Sequence, residues 1–278
     1  MNDSGQKVEI GIGWERHNRI HFDDIVVNYE KSRWDYPTEL FNDVINYQGG
    51  KSKMSLEIGA GTGKATAPFL DARYDVTAVE LGANMSAFLR DKFKGNRNFS
   101  VITASFEDAI LEDNCYDLIY SASAFHWVDP KIGCPKVFSL LKNGGTFALF
   151  RSNVDSYQSE SLYEDIEEQY EKHYFKPYKK PIRTPRDEQF GPSSILRGYG
   201  FEGLEDYGFT DIFTKLYDVT LTYDADKYIA LQDTMSDHRS LPEDDRTALY
   251  SGIKDVIIRH GGIIEVNHFF QLYMGRKP

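Results

Sequence analysis

The chain has 278 residues, enough for one large α/β domain with an embellishment or for two small ones. Hydrophobic residues at 41% and aromatics at 14% support a packed core and exclude a disordered chain. A net charge of -11 argues against a nucleic-acid partner, whose phosphates call for a basic face. In chain order, Phe22 to Ser32 and Thr38 to Tyr47 read as two short helices, separated by Tyr36-Pro37 where proline favours a restart. Tyr29 and Arg33 are four apart, the spacing of one helix face.

Met54 to Ile58 is a short apolar run that empties into Gly59-Ala60-Gly61-Thr62-Gly63, with a helix-compatible segment from Lys64 to Leu70 behind it. Glycines there let backbone approach a ligand at the C-terminal edge of a strand. The third glycine comes one position early for a dinucleotide fingerprint, and no Gly-Lys-Ser/Thr follows as a P-loop requires. A second strand, Asp75 to Glu80, ends in an acid about twenty residues past the first glycine, where a carboxylate can accept hydrogen bonds from both ribose hydroxyls. Leu81 and Met85 follow, placed to lie against a base. A third strand, Phe99 to Ala104, ends at Ser105-Phe106-Glu107. A fourth, Tyr116 to Ser121, runs into Ala122-Ser123-Ala124-Phe125-His126-Trp127-Val128-Asp129, and Asp129-Pro130 reads as a helix N-cap with proline in the first turn. A fifth, Thr146 to Phe150, follows Gly144-Gly145.

The acid-led G-x-G-x-G of Glu57 to Gly63, the matched Glu80 and the Leu140-Leu141-Lys142-Asn143-Gly144-Gly145 turn together resemble the class I S-adenosylmethionine-dependent methyltransferases. Asn143 departs from the family's proline. The Phe125-His126-Trp127-x-Asp129 segment and Tyr29-x-x-x-Arg33-x-x-Tyr36-Pro37 resemble the trans-aconitate and ubiquinone/menaquinone (methyltransferase type 11) branch. The resemblance covers roughly residues 54 to 150. It implies a cofactor site of Tyr29, Arg33, Glu57, Gly59, Ala60, Gly61, Thr62, Gly63, Glu80, Leu81, Met85, Ser105, Phe106, Ser121 and Ala122. In it, Arg33 would meet the methionine carboxylate, and Tyr29 would line the methyl end. The cofactor implied is S-adenosyl-L-methionine, with S-adenosyl-L-homocysteine as product and no metal. His126 is the candidate polar group at the methyl acceptor, either as a base or as a scaffold for its loop.

After the fifth strand the alternation stops. Tyr157 to Phe175 reads as an acidic helix, 177 to 192 as a proline-rich loop with a basic run, and 208 to 221 as β-rich. Residues 224 to 235 and 243 to 259 read as helices, and 263 to 274 as β again. The expected fold is α/β: a Rossmann-like, doubly wound, seven-stranded sheet with an antiparallel terminal hairpin and a helical cap. The expected organisation is 1–50 as N-terminal helices over the cofactor and 51–154 as the nucleotide-binding region. Segments 155–206 and 224–260 form the cap over the acceptor, while 207–223 and 261–278 form the terminal strands. Cys115 and Cys134 sit in no ligand spacing, which suggests a reduced compartment. The polar N-terminus and the lack of a bilayer-length apolar run lead to a soluble, cytoplasmic expectation without membrane contact. The expected function is in-line methyl transfer to a small molecule. The alternatives are a cofactor-binding protein without transfer activity and a protein acceptor, with a nicotinamide-dependent oxidoreductase disfavoured by the glycine spacing.

Overall fold

The computed structural model describes residues 20–50, 52–157, 159–178 and 203–278. Four short strands, β1 (Met54–Ile58), β2 (Asp75–Glu80), β3 (Phe99–Thr103) and β4 (Tyr116–Ala122), pair in parallel. They are joined by β5 (Leu141–Tyr157), β6 (Thr210–Asp224) and β7 (Ile263–Arg276) in one sheet of order β3-β2-β1-β4-β5-β7-β6. β5 is parallel to β4, whereas β7 runs antiparallel to both β5 and β6. The sequence expectation that the last strand inserts beside the fifth is met.

The period of two along each strand sorts side chains onto two faces. Leu56, Ile58, Ile119, Phe147 and Leu149 pack on one side with Cys134, Val137 and Leu140 of α5 (Pro130–Leu140). Leu118, Tyr120, Phe150 and Phe270 pack on the other with Leu40, Phe41 and Val44 of α2 (Thr38–Gln48) and Phe69 of α3 (Thr66–Asp71). Burial on both faces is why these strands read as near-continuous apolar runs. Asp129 caps α5 by accepting from the Lys131 amide at 3.0 Å.

The last three strands are longer than the sequence suggested. β4 pairs β5 only as far as Ala122↔Phe150, yet the β5–β7 ladder continues from Arg151↔Gln271 to Tyr157↔Val266. This overshoot projects past the carboxyl edge of the short strands and carries the outer helices. Those are α6 (Glu160–Tyr170), α7 (Ala225–Gln232), α8 (Ser236–Arg239) and α9 (Glu243–Arg259). Leu162, Ile166, Tyr228, Leu249, Ile253 and Val256 form one cluster with Ile264 and Val266 of β7. The extension was illegible because Arg151 to Tyr157 is a mostly polar run without strand alternation and its partner lies more than a hundred positions away. α6 continues as a π-helical turn to Phe175. Most of the expected proline-rich loop, with Lys179, Lys180 and Arg183, lies outside the described residues. Among the described residues, no helix is long and apolar enough to cross a membrane.

The N-terminal pair also differs in detail. A 3-10 turn at Ile20–Ile25 leads into α1 (Val26–Ser32). Arg33 is therefore the C-cap residue rather than part of α1, yet its guanidinium still lies over the Tyr29 ring, as the spacing of four implied. It caps the helix with extended backbone, since the chain must turn outward before the Pro37 restart. Farther along the chain, α4 (Ala83–Lys92) follows β2.

Candidate functional site

Gly59, Gly61 and Gly63 have φ of 71°, 56° and 80°, a region that favours glycine. A Cβ on Gly59 would stand 2.5 Å from that of Ala124, and one on Gly63 would stand 2.6 Å from the Phe93 ring. These two glycines let the turn lie flat against β4 and α4. Gly61 serves the site directly, because its amide donates to Glu80 Oε2 at 2.8 Å while the Gly82 amide donates to Oε1 at 2.8 Å. Glu80 thereby staples the turn to the end of β2. Burial raises its pKa, against the opposing pull of the Gly82 and Gly61 amides.

Two cavities flank this turn. The larger, about 810 Å³ counting its open mouth, lies at the carboxyl ends of β1 to β4 and is lined by Gly59, Gly61, Glu80, Leu81, Met85, Ser105, Phe106 and Ala122. The smaller, about 440 Å³, is lined by Arg33, Glu57, Ala60, Thr62 and Lys64, with Tyr29, Gly59, Gly61 and Ala122 common to both. Of the residues expected at the site, Gly63, Ser121 and His126 line neither cavity. Ser121 is fully buried and donates to the Ile58 carbonyl at 2.8 Å, locking β4 to β1. The Ser105 hydroxyl donates to Asp108 Oδ2 at 2.7 Å, and the Phe106 ring belongs to the core beneath.

Sequence reasoning missed the lid of the larger cavity. Asp23 accepts from the Asn84 and Met85 amides at 3.1 and 2.8 Å, supplying the N-terminus of α4 with the cap that Gly82 lacks. Phe22 packs edge-on against Tyr29 and Trp127, with ring centroids 5.9 and 6.0 Å away. No local pattern marks Asp23, because its partners are some sixty residues distant.

Glu57 is fully buried. Its Oε2 accepts from Thr66 at 2.5 Å and from Tyr120 at 3.1 Å, whereas its Oε1 has no partner. Desolvation pushes its pKa up to about 8, with the Thr66 and Tyr120 bonds opposing.

Beyond the cavities, polar groups gather at the carboxyl edge around Arg33. Its guanidinium lies 5.1 Å from the Tyr29 ring centroid and 5.2 Å from that of Trp34, and it donates to the Thr234 carbonyl at 2.8 Å. His268 sits 4.7 Å from Trp34, ring to ring. Burial pulls the His126 pKa down to about 3, with repulsion from Arg151 and Arg33 adding to the effect. Burial and Arg33 pull that of His268 to about 4. Both imidazoles are thus neutral at neutral pH.

The methyltransferase domain family matches residues 56–149. An uncharacterized methyltransferase of Mycobacterium tuberculosis is 31% identical over 48% of this chain and 53% of its own. A protein of Saccharomyces cerevisiae, named a probable S-adenosylmethionine-dependent methyltransferase, is 28% identical over 44% of each. The chain thus spans about half the length of the curated relatives it matches. A structure from Anaeromyxobacter dehalogenans, named as a type II methyltransferase, shares the fold with a TM-score of 0.59 at 17% identity, covering 88% of this chain and 97% of that one. Strand order and glycine turn accord with that match, which is to a methyltransferase domain over residues 56–149.

Proposed function

We propose that the protein is an S-adenosylmethionine-dependent methyltransferase acting on a small-molecule acceptor. The observation that carries this reading is the glycine turn, whose Gly61 amide and Glu80 carboxylate meet at the junction of two cavities. The residues fit the cofactor. Glu80 offers carboxylate oxygens to a ribose, Leu81 and Met85 give an apolar wall for a base, and Glu57 lines the smaller cavity on the other side of the turn.

The cofactor supplies a methyl group made electrophilic by an adjacent sulfonium. The chain has to align an acceptor with it and exclude water. Phe22, Tyr29 and Trp127 close the cavity with aromatic surface. His126, held neutral, can accept a hydrogen bond, but it is too weak a base to keep a proton near neutral pH. Since it lines neither cavity, in this reading it serves as a scaffold for its loop.

Calorimetry on the purified chain should show binding of S-adenosylmethionine and S-adenosylhomocysteine, and Glu80→Ala should weaken both by about tenfold or more. Binding of NAD in place of either nucleoside would sink the reading.

A further inference from the structure

The turn after β3 forms one wall of the larger cavity through Ala104, Ser105, Phe106 and Glu107. The Ser105 hydroxyl is committed inside the turn, donating to Asp108 Oδ2 and accepting from the Asp108 amide at 3.2 Å. The Asp108 and Ala109 amides close back on the Ser105 carbonyl at 3.2 and 2.9 Å. Three further carbonyls of the turn are collected by one side chain of α5. Lys136 Nζ donates to the carbonyls of Phe106, Glu107 and Ala109 at 2.7, 3.1 and 2.6 Å. An ammonium has three donors, and here all three go to main chain. The same ammonium lies 5.1 Å from the centre of the Phe106 ring.

The helix behind this contact is held rigidly. Cys134 and Val137, on either side of Lys136, are buried in the core. Gly133 lets α5 approach the loop after β4 so closely that a Cβ there would stand 2.6 Å from Val128 Cγ1. Val128 and Trp127 also line the larger cavity, so α5 joins two of its walls from behind. Lys136 itself lines neither cavity. It acts on the site through the backbone it holds, and ordering so long a side chain costs conformational entropy that an exposed lysine keeps.

Peptide geometry carries the contact through to the cavity. In a trans peptide the carbonyl and the following amide point in opposite directions. With its carbonyl held on Lys136, the peptide joining Phe106 to Glu107 presents its amide on the side away from α5, and both residues line the cavity. We propose that Lys136 is a positioning residue for base specificity: by drawing the turn's carbonyls onto α5, it gives the cavity wall an amide face, which favours a purine edge that accepts a hydrogen bond over one that donates. Adenine offers a bare ring nitrogen on its six-membered edge, whereas hypoxanthine carries a hydrogen at the same atom. This inference rests on the larger cavity being the nucleoside site of the methyl donor.

The test titrates the full chain by calorimetry with S-adenosylhomocysteine and with S-inosylhomocysteine, which differs from it at the base alone. The parent should prefer the adenine nucleoside by about tenfold or more, and Lys136→Met, which keeps the stem and loses the donors, should shrink that preference to about threefold or less. Lys136→Arg keeps the charge on a planar fork that fits three converging carbonyls poorly, and its preference should fall between the two. Hydrogen exchange over residues 105–109 should quicken in Lys136→Met while the central strands stay protected. Should the methionine variant fail to fold, the arginine variant supports the same comparison of affinity ratios. An equal loss of both nucleosides with the preference intact would make Lys136 a stability residue and overturn the proposal. A parent that binds both nucleosides equally would overturn it too, while leaving the donor reading in place. A parent that binds neither would bring down the donor reading itself.

Discussion

Glu57 shows how one residue serves both fold and site. It sits fully buried at the end of a strand beside the smaller cavity, with one oxygen bonded and the other without a partner. Its pKa rises from an ordinary 4.5 to about 8, so over that window the folded chain holds a proton that the unfolded chain releases. Its contribution to stability is full below pH 4.5 and is lost as pH climbs towards 8. Glu57→Gln should flatten that decline in a series of thermal melts, though not abolish it, because the Glu80 pKa is also raised by burial. An unchanged slope would mean that Glu57 ionises normally. The acid preceding the glycines was legible from sequence. Its missing second partner was not, because Thr66 and Tyr120 reach it from other elements.

At the scale of elements, α4 begins without a side-chain cap of its own, and Asp23 provides one from an N-terminal turn. Removing a cap of this kind costs about 1 kcal/mol. Asp23→Ala should therefore lower the melting temperature modestly and also weaken S-adenosylhomocysteine binding, because the start of α4 and the Phe22 cover belong to the larger cavity. A drop in stability with unchanged affinity would show that the cap is structural only. The strands β1 to β4 and their order were readable because each is a compact apolar run closed by a turn. The glycine turn was readable because its spacing is local. The overshoot of β5 to β7, the Asp23 cap and the outward turn at Arg33 depend on partners far along the chain, and no periodicity encodes them.

For the whole molecule, buried histidines shape the acid side of the stability curve. His126 and His268 have pKa values depressed from 6.5 to about 3 and about 4. Below pH 6.5 the unfolded chain takes up protons that the native one refuses, so stability falls as pH drops towards 4, against the trend set by Glu57. His268→Gln should lose less stability than the parent between pH 6.5 and 4.5, a difference that chemical denaturation at several pH values would detect. Equal losses would place the His268 imidazole in contact with water.

The segment from Phe22 to Arg33 is tied at both ends of its span. Asp23 grips α4 beside the larger cavity, and Lys92 holds Glu30 at 2.7 Å. Asn28 and Arg33 donate to the Ala230 and Thr234 carbonyls, at the end of α7 and just beyond it. One strap therefore spans both compartments. Under the proposed function, lifting the strap to free the spent cofactor would also pull on α7, so cofactor release and movement of that helix would be one coupled event. Turnover would then be governed by how readily twelve residues of backbone peel from two anchorages at once.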